Sequence, residues 1–175
     1  MRPIVKRLNV GALEQREVVQ DDWRYLGEEG VDVAARPALI VPFAELRTNI
    51  AQWRDYGGRL GVRLSPADAV EDLGEDVSRL ALIAAEFPSA GEGRGYTQGR
   101  LLRSRFEFKG ELRAVGAGVK QDLLFIMARC GFDAFELAPG QKVEEALRAF
   151  ERYDVAYQPA EPLDSIRQQR FFATG

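Results

Sequence analysis

Charged residues interrupt four otherwise apolar segments of this sequence. They are Arg63, Glu86, Arg113 and Glu136, and each lies inside or at the end of a predicted buried strand. Buried parallel strands are usually near-continuous hydrophobic runs, so each charge needs a partner or water. The charges alternate in sign along the chain, so neighbouring strands in chain order would pair them across the sheet. Two interpretations stay open: a paired ladder without a ligand, or a polar pocket in which Glu86, Arg113 and Glu136 are catalytic and Arg63 binds the ligand.

A glycine-rich segment, Gly91–Tyr96, precedes a predicted helix and is the second candidate site. Its alternate glycines let backbone amides turn toward an anion, and a helix N-terminus attracts negative charge. The pattern predicts a small-anion site with contacts from Gly93, Arg94, Gly95, Tyr96 and Arg100. The segment is neither a dinucleotide fingerprint, since Tyr96 stands at the third glycine position, nor a phosphate loop, since no lysine–serine or lysine–threonine pair follows. A plain flexible turn is the alternative.

Two residue counts exclude several kinds of chemistry. The chain has no histidine, which is the commonest general base and the commonest metal ligand. Its single cysteine, Cys130, cannot form an internal disulfide or hold an iron–sulfur cluster, which needs about four thiolates. A zinc site would have to use carboxylates alone, an unusual donor set for zinc. The sequence therefore predicts no metal site, and no nicotinamide or flavin fingerprint identifies a cofactor, which stays unknown.

The charge balance argues against a polyanionic partner. The 175 residues carry 24 basic and 27 acidic side chains, a net charge of −3, so nucleic-acid binding is not expected. Residues 94–113 are locally basic, either as the solvated face of a helix or as a surface for a small anion. The longest apolar runs, such as residues 38–44, are far shorter than the roughly 18 residues that span a bilayer. The first residues also lack the apolar core of a signal peptide, so we expect a cytoplasmic protein without a membrane partner.

The elements that would position these residues form a repeating strand–helix pattern. Short apolar strands begin near residues 39, 60, 81, 112 and 134, and apolar residues at helical spacing follow them. Residues 1–37 predict a β-hairpin and a loop, residues 38–153 about five βα units, and residues 154–175 a tail. No linker separates two cores, so we expect a single α/β domain over residues 1–175.

Short connections between consecutive units predict a mostly parallel sheet, either curved like part of a βα barrel or open. A doubly wound three-layer sheet is the alternative. Ligands in parallel α/β folds bind at the carboxyl ends of the strands, which is where the strand charges fall. An arc of strands that cannot close leaves edges and apolar surface, so we expect a two-fold homodimer with the aromatic tail packed on a second chain.

Several short motifs between residues 80 and 158 resemble one bacterial family. They are Gly93-Arg94-Gly95-Tyr96-Thr97-Gln98, Leu101-Leu102-Arg103, the run 110–116 (GELRAVG), the run 129–137 (RCGFDAFEL) and Ala156-Tyr157-Gln158. The family resembled is a bacterial domain of unknown function whose members are described as oxidoreductases of assimilatory sulfite reduction. The chain departs from the expected pattern at Glu92, Thr97 and Ala117, where aspartate, serine and aspartate are expected, so no role of an acidic group transfers to position 117.

The resemblance implies a role in assimilatory sulfite or sulfate reduction, with sulfite-reduction enzymes as partners. A sulfite reductase catalytic subunit needs sirohaem and an iron–sulfur cluster, which a chain with one cysteine and no histidine cannot ligate. We therefore expect an accessory or oxidoreductase-associated protein that binds a small sulfur oxyanion or a sulfonucleotide. The alternatives are an enzyme with a carboxylate–arginine site at the carboxyl ends of the strands, and a structural partner of a reductase.

Overall fold

The computed structural model describes residues 2–10 and 13–151. Its strands are β1 (Pro3–Val10), β2 (Leu13–Gln20), β3 (Arg24–Tyr25), β4 (Leu39–Pro42), β5 (Leu60–Leu64), β6 (Leu82–Glu86), β7 (Glu111–Val115) and β8 (Ala134–Phe135). Its helices are α1 (Phe43–Thr48), α2 (Ile50–Arg54), α3 (Arg94–Ser104), α4 (Leu124–Arg129) and α5 (Val143–Glu151), with 3₁₀ helices at Val33–Ala35 and Val70–Arg79. None of these helices is long and apolar enough to cross a membrane. The predicted tail, residues 154–175, lies outside the described residues.

All eight strands belong to one sheet, in the order β2-β1-β8-β7-β6-β5-β4-β3. Strands β3 to β8 are parallel and adjacent in chain order, whereas β1 pairs antiparallel with both β2 and β8. The five predicted strands are present as β4 to β8, and the predicted hairpin is β1 with β2. The sheet is mixed, and β3 is a further parallel strand that the apolar pattern did not indicate. The order never reverses, so the doubly wound alternative, which needs a switch point, is not the fold.

The sheet is curled into a half-barrel. The hydroxyl of Tyr25, on β3, lies 2.9 Å from the carboxylate of Glu136, directly after β8. Five strand-to-strand steps of about 4.8 Å would separate these strands by roughly 24 Å in a flat sheet. Two side chains cannot span that distance, so the contact requires strong curvature. The prediction of a curved, barrel-like sheet is confirmed at this coarse level.

The two faces of the sheet carry different cores. On the convex face, buried side chains from all five α-helices pack with alternate strand residues, among them Leu39, Val62, Ile83, Leu112 and Phe135. On the concave face a smaller core contains no helical residue and consists of Trp23, Ile40, Leu82, Ala84 and Val115. Successive strand residues point to opposite faces, so the side chains between the convex-core residues project into the half-barrel. The concave face is therefore the surface on which polar strand residues can meet.

A short connection crosses the concave face. Strands β2 and β3 lie at opposite edges of the sheet, yet only residues 21–23 join them. The N–H of Asp21 donates to the carbonyl of Arg2 at 2.8 Å, and the N–H of Arg24 donates to the carbonyl of Ala38 at 2.9 Å. Asp21 and Trp23 are buried as a result. The connection places an acidic side chain inside the half-barrel.

Two segments that apolar spacing predicts as single α-helices have a different helical structure. The helix after β4 breaks at Asn49 into α1 and α2. The segment after β5 is the 3₁₀ helix Val70–Arg79, interrupted at Gly74 by a φ of +53°. Apolar residues three or four positions apart suit both a 3.0-residue and a 3.6-residue period over such short lengths. The buried face was therefore predictable, but the helix type was not.

Candidate functional site

The four predicted strand charges project from the concave face. Arg63 and Arg113 each pair in register with Ala84, and Glu86 lies two residues beyond it on the same strand. Glu136 has the equivalent position directly after β8. Register partners and residues two apart on a strand share a face. The four side chains thus lie on or after four adjacent strands, inside the half-barrel and toward the carboxyl ends.

Arg113 is fully buried and is held by two carboxylates. Its guanidinium donates hydrogen bonds of 2.7 and 2.9 Å to Asp21, 92 residues earlier, and of 2.7 and 2.9 Å to Glu111. Burial lowers the pKa of Arg113, but these hydrogen bonds and charges outweigh it and raise the pKa above its ordinary value. These partners differ from Glu86 and Glu136, the pairing expected from alternating signs. Because Arg113 has no exposed surface, it cannot touch a ligand in this conformation and acts as a positioning group.

Neither partner of Arg113 was among the site residues predicted from the sequence. Asp21 lies in a polar segment whose path across the half-barrel has no local signal, and its carboxylate also accepts a hydrogen bond from the N–H of Trp23 at 3.2 Å. Glu111 was predictable, because it precedes Arg113 by two residues on one strand and so shares its face. Glu111 begins its strand, whereas the predicted charges lie inside or at the end of apolar runs.

Half-buried polar side chains surround the open end of the half-barrel, beyond Arg113. We call this region the mouth, and its residues are Arg2, Tyr25, Glu28, Arg63, Glu86 and Glu136. The guanidinium of Arg2 lies 3.6 Å from Glu136, 3.9 Å from Glu28 and 4.4 Å from the centre of the Tyr25 ring. The mouth therefore presents both signs of charge at close range. No group of three or more His, Cys, Asp or Glu side chains among the described residues is placed to hold a metal ion.

Arg63 is a loosely held cation at the mouth. Its side chain is 45% exposed, and its guanidinium lies 3.6 Å from Glu86, which is longer than a hydrogen bond. It also lies 6.0 Å from the centre of the Tyr25 ring. The expected pairing of Arg63 with Glu86 across neighbouring strands is present, but only at this ion-pair distance. The donors of Arg63 remain available for a ligand.

Tyr25 joins β3, at one edge of the sheet, to the end of β8 across the half-barrel. Its hydroxyl donates the 2.9 Å hydrogen bond to Glu136 described above. Burial is the largest cause that raises the pKa of Tyr25, and the charge and hydrogen bond of Glu136 raise it further. The phenol therefore stays protonated at neutral pH and orients the Glu136 carboxylate. The mouth can thus offer guanidinium donors to an anionic group and carboxylate acceptors to hydroxyl groups.

An internal carboxylate occupies the anion site predicted at Gly91–Tyr96. Glu92 accepts hydrogen bonds from the backbone N–H of Arg94 at 2.9 Å and from its guanidinium at 2.9 and 3.0 Å. A bound anion would take these same donors at the beginning of α3. Gly93 has a φ of −92°, a conformation open to any residue. The loop therefore neutralises its own arginine.

The other predicted contacts of this loop do not converge on one point. Gly95 is buried against the ring of Phe87, where an added Cβ would lie 2.5 Å from a ring atom. The Tyr96 ring packs edge-to-face on Phe87 with centroids 5.1 Å apart. Arg100 is exposed on α3, and its charge acts on Cys130, whose thiol pKa is nevertheless raised by burial. Gly95 and Tyr96 thus have packing roles, and an anion site at this loop stays a prediction.

The Glu92–Arg94 contact predicts that the Glu92 carboxylate stays ionised at unusually low pH. Hydrogen bonds from the side chain and backbone of Arg94 lower the pKa of Glu92 from its ordinary 4.5 to about 2. A pKa that is lowered in the folded state stabilises that state above the unfolded pKa, and this contribution is lost as the pH falls toward 2. We expect the Glu92 carboxyl carbon to titrate near pH 2 by NMR, and between 2 and 4.5 in an Arg94→Gln variant, which loses the guanidinium but keeps the backbone N–H donor. A midpoint near 4.5 in the unsubstituted protein would contradict this interpretation.

Polar residues of the motifs that carry the family resemblance form hydrogen bonds and ion pairs between α3 and neighbouring segments. Arg103, on α3, donates to the carbonyl of Gly131 at 3.0 Å and pairs with Asp133 directly before β8. Gln98, also on α3, donates to the carbonyl of Ser65 at 2.8 Å. Both residues link α3 to segments beside it on the convex side. The motifs that carry the resemblance thus include residues with a structural role.

Fold and site together define an α/β half-barrel protein, with an antiparallel hairpin at one edge of a parallel sheet and a polar mouth at the carboxyl ends of its strands. Residues 61–165 match the family model described as a bacterial protein of unknown function, DUF934. The match spans more than half of the chain, so the protein belongs to this family. The family membership that the motifs indicated is therefore confirmed. A comparison with curated proteins finds no match.

Proposed function

We propose that this protein is an accessory component of assimilatory sulfite or sulfate reduction that binds a sulfonucleotide at the mouth. The observation that supports binding is Arg63, a half-exposed guanidinium at the carboxyl end of β5 with an ion-pair contact of 3.6 Å. Such a group binds phosphate or sulfate oxygens through paired hydrogen bonds. The carboxyl ends of parallel strands are also where such sheets bind ligands. The pathway rests on the family resemblance of the sequence motifs, and the place of binding rests on this geometry.

The mixed charge of the mouth favours a sulfonucleotide over a bare oxyanion. Glu86 and Glu136 lie beside the two arginines of the mouth, and their charge opposes a compact dianion such as sulfate. Carboxylates accept hydrogen bonds from ribose hydroxyls, as acidic residues do in dinucleotide-binding folds. A nucleotide supplies an anionic group for Arg63 and hydroxyls for the carboxylates. Free sulfite or sulfate is the weaker candidate.

An accessory role fits the reactive groups of the chain. Cys130 is its only cysteine, and burial raises the pKa of that thiol, which keeps it in the unreactive protonated form. We therefore assign the electron transfer to a partner enzyme of sulfite reduction, to which this protein presents its ligand. A two-fold homodimer stays a prediction, because the tail expected to form its contact lies outside the described residues.

Calorimetric titration with adenosine 5′-phosphosulfate tests this proposal. We expect saturable binding, with sulfate at least tenfold weaker. Arg63→Gln should weaken nucleotide binding at least tenfold, because a hydrogen bond to a charged group contributes about 1.5–3 kcal/mol. Arg47→Gln is the matched control, since Arg47 is an exposed arginine of α1 that pairs with Asp72 away from the mouth. No binding at millimolar nucleotide, or equal losses in both variants, would reject the proposal.

A carboxylate–arginine enzyme at the same mouth is the second candidate function. The hydrogen bond of 2.9 Å from Tyr25 to Glu136 favours it, because a phenol and a carboxylate in contact can pass a proton to or from a ligand. Glu86 and Glu136 would then do the acid–base chemistry, with Arg113 holding the half-barrel beneath them. Phosphorus NMR of the same nucleotide over several hours separates the two functions. New resonances would show turnover, whereas an unchanged spectrum with saturable binding supports the accessory role.

A further inference from the structure

A cavity of about 140 Å³ lies at the opposite end of the strands from the mouth. Residues of α1, α2 and the 3₁₀ helix Val70–Arg79 bound it on the convex side of the sheet. Leu60, the first residue of β5, and Ala81, directly before β6, close it at the amino ends of those strands. The function proposed above does not use this cavity.

The floor of the cavity is apolar and includes an indole ring. Leu46, Trp53 and Leu80 line it and are buried. The N–H of Trp53 donates to Glu45 at 3.3 Å, so the ring brings no unsatisfied donor to the cavity. Tyr56 packs edge-to-face on Trp53 with ring centroids 5.7 Å apart. An apolar space of about 150 Å³ holds one benzene ring, so this floor suits a group of that size.

The rim of the cavity is cationic. Arg54 donates hydrogen bonds of 2.9 and 3.0 Å to Asp76, so these two rim residues neutralise each other. Arg59 pairs with Asp22, which does not line the cavity. Arg79 also lines the rim, and within residues 2–10 and 13–151 its guanidinium has no ion pair or hydrogen bond. One unpaired cation therefore stands at the edge of an apolar space.

We propose that this cavity binds a small organic anion that carries one aromatic or branched aliphatic group. The apolar group lies against Trp53, where burial of its surface and contact with the indole supply affinity. The anionic group, a carboxylate or sulfonate, pairs with the guanidinium of Arg79. An inorganic anion would leave the floor empty, and a neutral ring would leave Arg79 unpaired. The proposed ligand class combines the two features of the cavity, the apolar floor and the exposed cation of Arg79.

Three small molecules that differ in charge and in the presence of an aromatic ring test the proposal by NMR. Benzoate carries both groups, benzamide has the same shape without charge, and acetate has the charge without the ring. The chain has two tryptophans, and the indole N–H resonance of Trp53, which lines the cavity, reports on binding there. A Trp53→Phe variant assigns the two resonances. We expect benzoate to shift the Trp53 resonance saturably, benzamide to bind at least threefold more weakly, and acetate to leave it unmoved.

Two substitutions separate the roles of charge and space. Arg79→Gln should weaken benzoate binding at least threefold and leave benzamide binding unchanged, whereas Arg47→Gln, on the exposed side of α1, should change neither. Ala81→Leu puts a larger side chain into the cavity and should weaken both aromatic probes at least tenfold. Equal affinities for benzoate and benzamide, or an Arg79→Gln variant that binds benzoate normally, would overturn the proposal. So would the absence of a saturable Trp53 shift at tens of millimolar benzoate. If Ala81→Leu does not fold, the probe comparison and Arg79→Gln decide the question.

Discussion

Replacing Arg113 with leucine is expected to lower the free energy of unfolding by about 3–5 kcal/mol, the usual cost of breaking a buried ion pair from one side. The substitution removes the cation that both Asp21 and Glu111 contact, and 1% and 9% of these side chains are exposed. Two partly exposed cations stay near them, Arg2 at 3.6 Å from Asp21 and Lys6 at 2.5 Å from Glu111. Desolvated like charges are costly because little water remains to screen them. The shift of the urea midpoint at constant m-value measures the loss.

Two further variants make this expectation specific to the buried charges. Arg105→Gln removes an arginine that is 64% exposed and pairs with Glu71 at the surface, so it should change stability by less than about 0.5 kcal/mol. Adding Asp21→Asn to Arg113→Leu should recover part of the loss, because one of the two carboxylates becomes neutral. If Arg113→Leu and Arg105→Gln shift the midpoint equally, the buried cluster does not stabilise the half-barrel.

The same cluster connects stability to the mouth. Asp21 belongs to the connection that crosses the concave face, and β3, which carries Tyr25, begins three residues after it. Arg113 therefore holds the segment that brings Tyr25 to Glu136. Loss of this support would disturb the mouth although Arg113 itself has no exposed surface.

Gly116→Ala is the second substitution with a large expected effect, a loss of about 2–4 kcal/mol from backbone strain and overpacking together. Gly116 directly follows β7 with a φ of +107°, a conformation that residues with a side chain rarely adopt. An added Cβ would also lie 2.6 Å from the carbonyl oxygen of Phe87, a backbone atom that cannot move without disturbing the end of β6. Thermal and urea unfolding both measure the loss.

Gly91→Ala is the matched control for that substitution. Gly91 is exposed, does not have a positive φ, and an added Cβ would meet nothing within 4 Å. Alanine at such a position leaves stability unchanged or raises it by about 0.4–1 kcal/mol, because the unfolded chain loses freedom. A Gly116→Ala variant as stable as Gly91→Ala would show that the turn after β7 relaxes without cost.

Local patterns in the sequence were sufficient to predict most strands of the sheet. The strands from β4 (Leu39–Pro42) to β8 are short apolar runs, and the hairpin of β1 and β2 follows two β-branched segments. Such runs identify buried strands because both faces of each strand are covered. Their spacing leaves room only for crossover connections, which makes the strands parallel. The charges inside those runs lie together on the concave face, although the partners of Arg113 differ from those expected.

Local patterns were less informative about short elements. The two-residue strand β3 leaves no periodic signal, and residues 24–25 lie in a polar stretch. The break at Asn49 and the 3₁₀ helix Val70–Arg79 leave the apolar spacing intact, so the spacing does not reveal them. Glu92 was visible in the sequence, but only the folded loop shows that its carboxylate takes the place of an anion.

By itself, the sequence determined the chemistry available to this protein: no histidine, one cysteine, four charges on apolar strands, and motifs that place it in a bacterial family. Only the tertiary structure decided which charges meet. Arg113 pairs with Asp21, 92 residues away, and Tyr25 reaches Glu136 across the half-barrel. The physical reason is that periodicity reports which side of an element is buried, whereas the curl of the sheet and the path of residues 21–23 decide what that side contacts.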